Sequence, residues 1–215
     1  MRGSAYWLSI FFTLTALTGC SLGGDDGVRP ESLTPTEWFS LSKPGASHKL
    51  LDVFAGDWDV KIRFWSAPSA APEDSHGTSR LTWILGDRFL QEEFQGDVLG
   101  EQYQGLGLMG YDAAARRFMT VWLDSLNTAI AYQHGKYFEE QNRFELSGEV
   151  YDPLLGRTKT TRSEIQVVSP NEYTVTMIDT SPSGASFKSL EITYVRRSET
   201  PQLDQAKISS REPRS

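Results

Sequence analysis

A single cysteine, Cys20, means that no disulfide can form within this 215-residue chain. The three histidines, His48, His76 and His134, include no pair at metal-ligand spacing, so nothing in the sequence points to a metal site. A haem, were one held, would have His134 as its axial ligand, because His48 and His76 fall outside the central strand-like segments. Basic side chains number 21 against 28 acidic ones and nowhere cluster, which argues against nucleic acid as a partner. No Gly-x-Ser-x-Gly elbow, phosphate-cradling glycine loop or His-Glu-x-x-His sequence is present, so no motif selects a reaction. Nor does any apolar run reach the roughly 20 residues needed to span a bilayer as a helix.

What is present begins at the N-terminus, where Arg2 precedes a short apolar core over residues 6–17. A basic start, a short apolar core and small residues at its end are the parts of a cleaved export signal. The four residues Leu17, Thr18, Gly19 and Cys20 resemble the bacterial lipoprotein lipobox. That resemblance implies cleavage after residue 19, a diacylglycerol thioether on Cys20 and a further acyl chain, such as palmitate, on its new amine. An ordinary secreted protein is the competing reading. It would leave Cys20 as an unpaired thiol in an oxidising compartment, whereas a thioether accounts for it. Two or three acyl chains hold a protein far more firmly than one. Ser21 in place of Asp after the cysteine implies the outer membrane, facing periplasm or surface, if the source is Gram-negative.

Residues 20–47 are rich in Gly, Pro and Asp and read as a flexible tether, within which Trp38 and Phe39 could pack back onto the folded part. Residues 198–215 read as a disordered polar tail. The segment 48–197 is long enough for one domain with a substantial core.

Within it the hydrophobic pattern has the period of a strand almost throughout. Trp58, Val60, Ile62 and Phe64 alternate with Asp57, Asp59, Lys61 and Arg63, which predicts one buried and one wet face. Similar runs at 78–85, 88–95, 102–111, 117–126, 128–138, 143–151, 157–168, 172–180 and 187–196 bring the expected total to about ten strands. Short turn-rich connections make successive strands hairpin neighbours. The expected fold is therefore all-β, an antiparallel up-and-down barrel without free edges. A membrane-spanning barrel would need a lipid-facing apolar band, and the outer face of the first strand is charged instead. One helix is expected over residues 48–55, with Leu50, Leu51 and Phe54 on one face and Gly56 stopping it, as a plug in one mouth.

Gly56-Asp57-Trp58 resembles the Gly-x-Trp opening of lipocalins and other calycin barrels. In the last strand Arg196 shares a face with Leu190, Ile192 and Tyr194, so it can cover the Trp58 ring, a structural closure. A wider resemblance is carried by Trp83-Ile84-Leu85-Gly86-Asp87-Arg88-Phe89-Leu90, Gly105-Leu106-Gly107, Gly110-Tyr111-Asp112, Trp122-Leu123-Asp124 and Leu190-Glu191-Ile192-Thr193-Tyr194. Together these resemble the bacterial family DUF1579. The resemblance implies a calycin-like barrel and no particular activity, since a fold does not carry a function.

A barrel of this size can hold a small ligand between apolar walls with a few polar groups. Strand parity offers Trp83, Trp122 and Asp124 as lumen or rim residues, and Arg162 with Glu164 as a polar lumen wall. Glu92 and Glu93 must face opposite ways, and Glu93 is the one carried as a candidate; His134 and Tyr132 leave their direction open. Three functions follow. A lipid-anchored envelope protein that binds a small, mostly apolar molecule predicts an enclosed cavity. An interaction or structural lipoprotein predicts a lumen filled by Trp83, Trp122 and their neighbours. An enzyme, less favoured, needs at least two titratable groups converging in the cavity.

Overall fold

Alternation builds the first strand, β1 (Gly56–Phe64): Trp58, Val60 and Ile62 are buried, while Asp59 and Lys61 stand in solvent. The computed structural model describes residues 34–98, 100–152, 156–181 and 184–198; Cys20, the segment read as an export signal and nearly all of the segment read as a polar tail lie outside these. Nine strands follow β1. They are β2 (Glu73–Ile84), β3 (Phe89–Val98), β4 (Glu101–Asp112), β5 (Arg117–Asp124), β6 (Ala131–Phe138), β7 (Arg143–Asp152), β8 (Arg157–Ser169), β9 (Glu172–Thr180) and β10 (Ser186–Arg196). Each pairs antiparallel with the strand before it, and β10 returns to pair with β1, so the sheet is a closed barrel.

The expected single helix over 48–55 is two shorter pieces. An α-helical turn, α2 (Ala46–Lys49), is followed by a 3₁₀ turn at Asp52–Phe54. The break rotates Leu50 into solvent, while Leu51 and Phe54 stay fully buried against the barrel floor. Gly45 N–H donates to His48 Nδ1 at 3.1 Å, which fixes the neutral imidazole as the acceptor at the start of α2. Before it stands α1 (Pro35–Leu41), inside the segment read as tether. Its origin is local: Pro35 opens the first turn, Thr34 N–H donates to Glu37 Oε2 at 2.7 Å, and Glu37 N–H donates to Thr34 Oγ1 at 3.3 Å. Trp38 and Phe39 do not pack down, remaining 60% and 65% exposed.

The plugged end is filled by aromatic rings. Phe54 and Trp58 meet Tyr173 edge to face at 4.8 and 4.7 Å, and Phe118 meets Phe144 at 4.9 Å. Arg196 fastens this end from β10. Its Nη1 and Nη2 donate to the carbonyls of Ala55 and Val53, both at 2.7 Å, and its Nε donates to Pro170 O at 3.0 Å. Gly56 makes that approach possible: with φ 128° it occupies a region closed to most side chains, and a Cβ there would sit 2.4 Å from Arg196 Nη1.

Candidate functional site: the barrel lumen

The interior above the aromatic floor is not filled. A cavity of about 360 Å³ lies between Phe54 and Tyr173 at the floor and Val98, Ala131 and Val150 toward the opposite end of the barrel. Its wall is mostly aliphatic and aromatic, with Leu81, Leu90, Phe94, Leu146, Met177 and Ile192 among the contributors. The strands present these side chains inward because they occupy every second position, and the polar exceptions in the same phase define the site's chemistry.

The principal exception is Glu92, placed between inward-facing Leu90 and Phe94 on β3. Ser79 Oγ donates to Glu92 Oε1 at 2.6 Å from the adjacent strand β2, and Tyr194 OH donates to the same oxygen at 3.1 Å from across the barrel. Burial pushes the Glu92 carboxyl above the usual carboxylate range, against these two hydrogen bonds, which favour the charged form. Tyr194 is itself raised well above an ordinary phenol, by burial first and then by the Glu92 carboxylate, so its hydroxyl keeps its proton and remains a donor.

A second polar group occupies the wall formed by β6 and β8. Gln133 Nε2 donates to Thr161 Oγ1 at 3.0 Å, and Ser163 Oγ donates to Gln133 Oε1 at 2.8 Å. Trp122 Nε1 donates to Tyr103 OH at 2.9 Å on the β4–β5 side. Burial pushes the Tyr103 phenol up to about 12, with Asp124 and Glu92 adding to the rise and the Trp122 donation opposing it. Trp122 has room in the lumen because β4 carries glycine opposite it. A Cβ at Gly105 would lie 2.2 Å from Trp122 Cζ2, and one at Gly107 would lie 3.1 Å from Trp122 Cε3.

The residues selected by parity divide. Trp122 lines the cavity. Trp83 does not; it sits at the plugged end, where its Nε1 donates to Asp52 Oδ1 at 3.0 Å. Asp124 lies at the rim and folds the turn after β5, accepting from the backbone N–H groups of Leu126 at 2.9 Å and Asn127 at 3.1 Å. Glu93 faces outward beside Gln91, whose Nε2 donates to it at 2.9 Å, and it is Glu92 that turns in. His134 also turns outward, its ring 5.8 Å from that of Tyr132, while the adjacent Gln133 enters the lumen. It therefore cannot serve as axial ligand to a haem in this cavity, and no histidine lines the cavity among the described residues. Arg162 and Glu164 stand on the exposed face of β8; the polar lumen wall is built by Thr161 and Ser163, one position out of phase with them. Arg196 does cover Trp58, its Cζ 4.2 Å from the ring centroid.

The missed residues were in the pattern. Glu92 shares the phase of Leu90 and Phe94, Ser79 that of Leu81, and Tyr194 that of Leu190 and Ile192. Among the described residues no group of three or more His, Cys, Asp or Glu side chains is placed to hold a metal ion.

A closed ten-stranded antiparallel barrel with a capped floor, a Trp–Arg closure and an internal cavity defines a calycin-like protein. The chain belongs to the family described as "Protein of unknown function (DUF1579)", which it matches over residues 43–196. No curated protein matches it. Among solved structures it is similar to Rv2717c from M. tuberculosis, with a TM-score of 0.55 and 12% identity over 73% of this chain and 100% of that one. It is also similar to the S-type phycobiliprotein lyase CPES from Guillardia theta, at a TM-score of 0.49 and 13% identity over 74% and 97% of the respective chains. At 12% identity the likeness to Rv2717c is one of fold.

Proposed function

We propose that this barrel binds a small, mostly apolar molecule in its lumen and does so at a bacterial envelope membrane, held there by a lipid on Cys20. The observation that carries the binding reading is the cavity itself: about 360 Å³, apolar over most of its wall, with a few inward polar groups. That volume falls in the range of about 300–1,000 Å³ typical of small-ligand sites. A barrel serving only as scaffold or interaction surface has no use for such a void, since filling it would add stability at about 24 cal/mol per Å³. Trp122, which could have filled the lumen, instead lies against Gly105 and Gly107 on the neighbouring strand and leaves the centre open.

Access is favoured from the end opposite the plug. Leu126 and Ile130, between β5 and β6, and Tyr151, near the end of β7, are 54%, 64% and 62% exposed there, an apolar rim at which such a molecule could enter. The envelope address rests on the lipobox resemblance at residues 17–20, outside the described residues. Native mass spectrometry of the protein purified from its own host tests the binding reading. A small molecule retained in the gas phase and lost on denaturation is the expected result; a chain that emerges empty from cells grown in varied media overturns it.

A further inference from the structure

Several polar groups of the lumen are hydrogen-bonded within the protein. The Gln133 amide is spent on Thr161 and Ser163, and Tyr103 already accepts from Trp122. Glu92 differs. Ser79 and Tyr194 both donate to its Oε1, and among the described residues no hydrogen bond reaches Oε2. Directly across from Glu92, on β4, the register places Gly107, with the Trp122 ring lying beside that glycine.

Charge points the same way. Glu92 is the one Asp, Glu, Lys or Arg side chain in the cavity wall among the described residues, and no histidine joins it. At the opposite end the inward phase of β7, β8 and β9 brings Asp152, Lys159 and Asp179 together. Lys159 Nζ lies 2.7 Å from a carboxylate oxygen of each aspartate, so the cation is outnumbered two to one. Asp124 adds another negative charge at this rim. A ligand entering here passes acidic groups and ends against an acceptor.

Resting on the reading that the lumen holds an apolar molecule, we propose that its ligand is a neutral or cationic amphiphile whose polar end carries a hydrogen-bond donor, an alcohol or a primary amine, seated on Glu92. Alkyl carboxylates are disfavoured. Their head group would lie beside Glu92 with no cation in the wall to receive it, and desolvating an unpaired anion is costly. An amine or hydroxyl instead donates to the oxygen that the protein leaves open, and pairing with a carboxylate makes that bond stronger than one between neutral groups.

The test uses the full chain carrying Cys20→Ser, stripped of bound lipid and titrated calorimetrically at neutral pH with decanol, decylamine and decanoate. These probes share an alkyl tail and differ in head group. The amine and the alcohol are expected to bind about tenfold or more tighter than decanoate, the difference that one charge-assisted hydrogen bond supplies. In Glu92→Gln the amine should lose its advantage over decanoate, while decanol stays within about threefold of its original affinity. Glu92→Asp, which retains the charge but shortens the reach, provides a second variant, and circular dichroism checks the fold of both. Decanoate binding as tightly as the amine, or a preference unchanged in Glu92→Gln, overturns the head-group assignment and leaves lumen binding standing. Failure of all three probes to bind overturns the ligand-binding reading and this inference with it.

Discussion

Arg196 lies over the face of Trp58, its guanidinium carbon 4.2 Å from the ring centroid, while its nitrogens hold carbonyls of both the 3₁₀ turn and the β8–β9 connection. One side chain thus ties the last strand to the first and the plug to both. Trp58 completes the arrangement by donating from Nε1 to Phe54 O at 2.8 Å. Arg196→Ala removes the cation from the ring and leaves the Val53 and Ala55 carbonyls without their donors. The expected cost is about 2–3 kcal/mol, from charge-assisted hydrogen bonds and a partly desolvated cation–π contact. Arg196→Lys should recover only part of it, because an ammonium cannot reproduce the planar fork. Urea unfolding followed by Trp fluorescence measures both. A loss below about 0.5 kcal/mol in the alanine variant, the level of an ordinary surface substitution, would show that the closure is ornamental.

Gly105 and Trp122 form a second interlocking pair, with the indole in the space that a side chain on β4 would fill. Gly105→Ala should force the ring off its rotamer at a cost of about 1–3 kcal/mol. In a Trp122→Phe background the smaller ring should accept the methyl, and the same substitution should cost at least about 0.5 kcal/mol less, a coupling that a double-mutant cycle reads directly. Additive costs would mean that the glycine is required for some reason other than the indole.

How far the sequence discloses these pairs depends on side-chain size. Strand alternation marks β1 because its inward positions carry Trp58, Val60 and Ile62. The same rule misses the first turn of the ladder in β2, where the inward positions are Ser75 and Gly77 and show no apolar signal. The lumen chemistry was hidden for a related reason. Parity puts Glu92 or Glu93 inside, and only the phase of Leu90 and Phe94 decides between them. On β8 the inward Thr161 and Ser163 are no more apolar than the outward Arg162 and Glu164, so hydropathy cannot tell the faces apart until Ile165 and Val167 set the phase. The helix α1 has a local signal in Thr34, Pro35 and Glu37, outweighed in the sequence by the surrounding Gly, Pro and Asp.

The turn between β2 and β3 carries strain that can be removed. Leu85, Gly86 and Asp87 have φ of 53°, 66° and 60°, and Leu85 is 70% exposed. A leucine gains nothing there from burial and is costly in the left-handed region, where asparagine is tolerated. Leu85→Asn is expected to stabilise the protein by about 1 kcal/mol, the lower end of the left-handed backbone cost, seen as a higher midpoint in thermal unfolding. A midpoint that falls would show that Leu85 serves a contact outweighing its backbone cost.

Membrane attachment is separable from folding if Cys20 carries the lipid, because every strand among the described residues begins after residue 55. Cys20→Ser should abolish palmitate labelling and move the protein from the membrane to the soluble fraction of the envelope. Its thermal midpoint should match that of the parent chain. Labelling that persists in the variant refutes the lipobox reading, and a large fall in midpoint refutes the independence of the barrel.

Glu92 makes a prediction about pH whose sign follows from the direction of its shift. Burial raises its folded-state pKa above the unfolded value, so between the two the folded protein holds a proton that the unfolded chain has released. Stability from this group is fully present below the ordinary carboxylate range and is lost as pH rises through the folded pKa. The slope approaches about 1.4 kcal/mol per pH unit inside that window. His48 acts in the opposite sense: burial, aided by Arg88, lowers its pKa, and its contribution is lost as pH falls below the ordinary histidine range. A single pH profile mixes the two, so the comparison must be between Glu92→Gln and the parent chain. Glutamine keeps an oxygen for Ser79 and Tyr194 to donate to and cannot ionise. Relative to the parent, the variant should gain stability steadily as pH is raised from acid toward neutral, with both proteins stripped of ligand. Parallel profiles for the two would mean that Glu92 ionises in the lumen at no cost, which requires a cation or water that its neighbours in the wall do not supply.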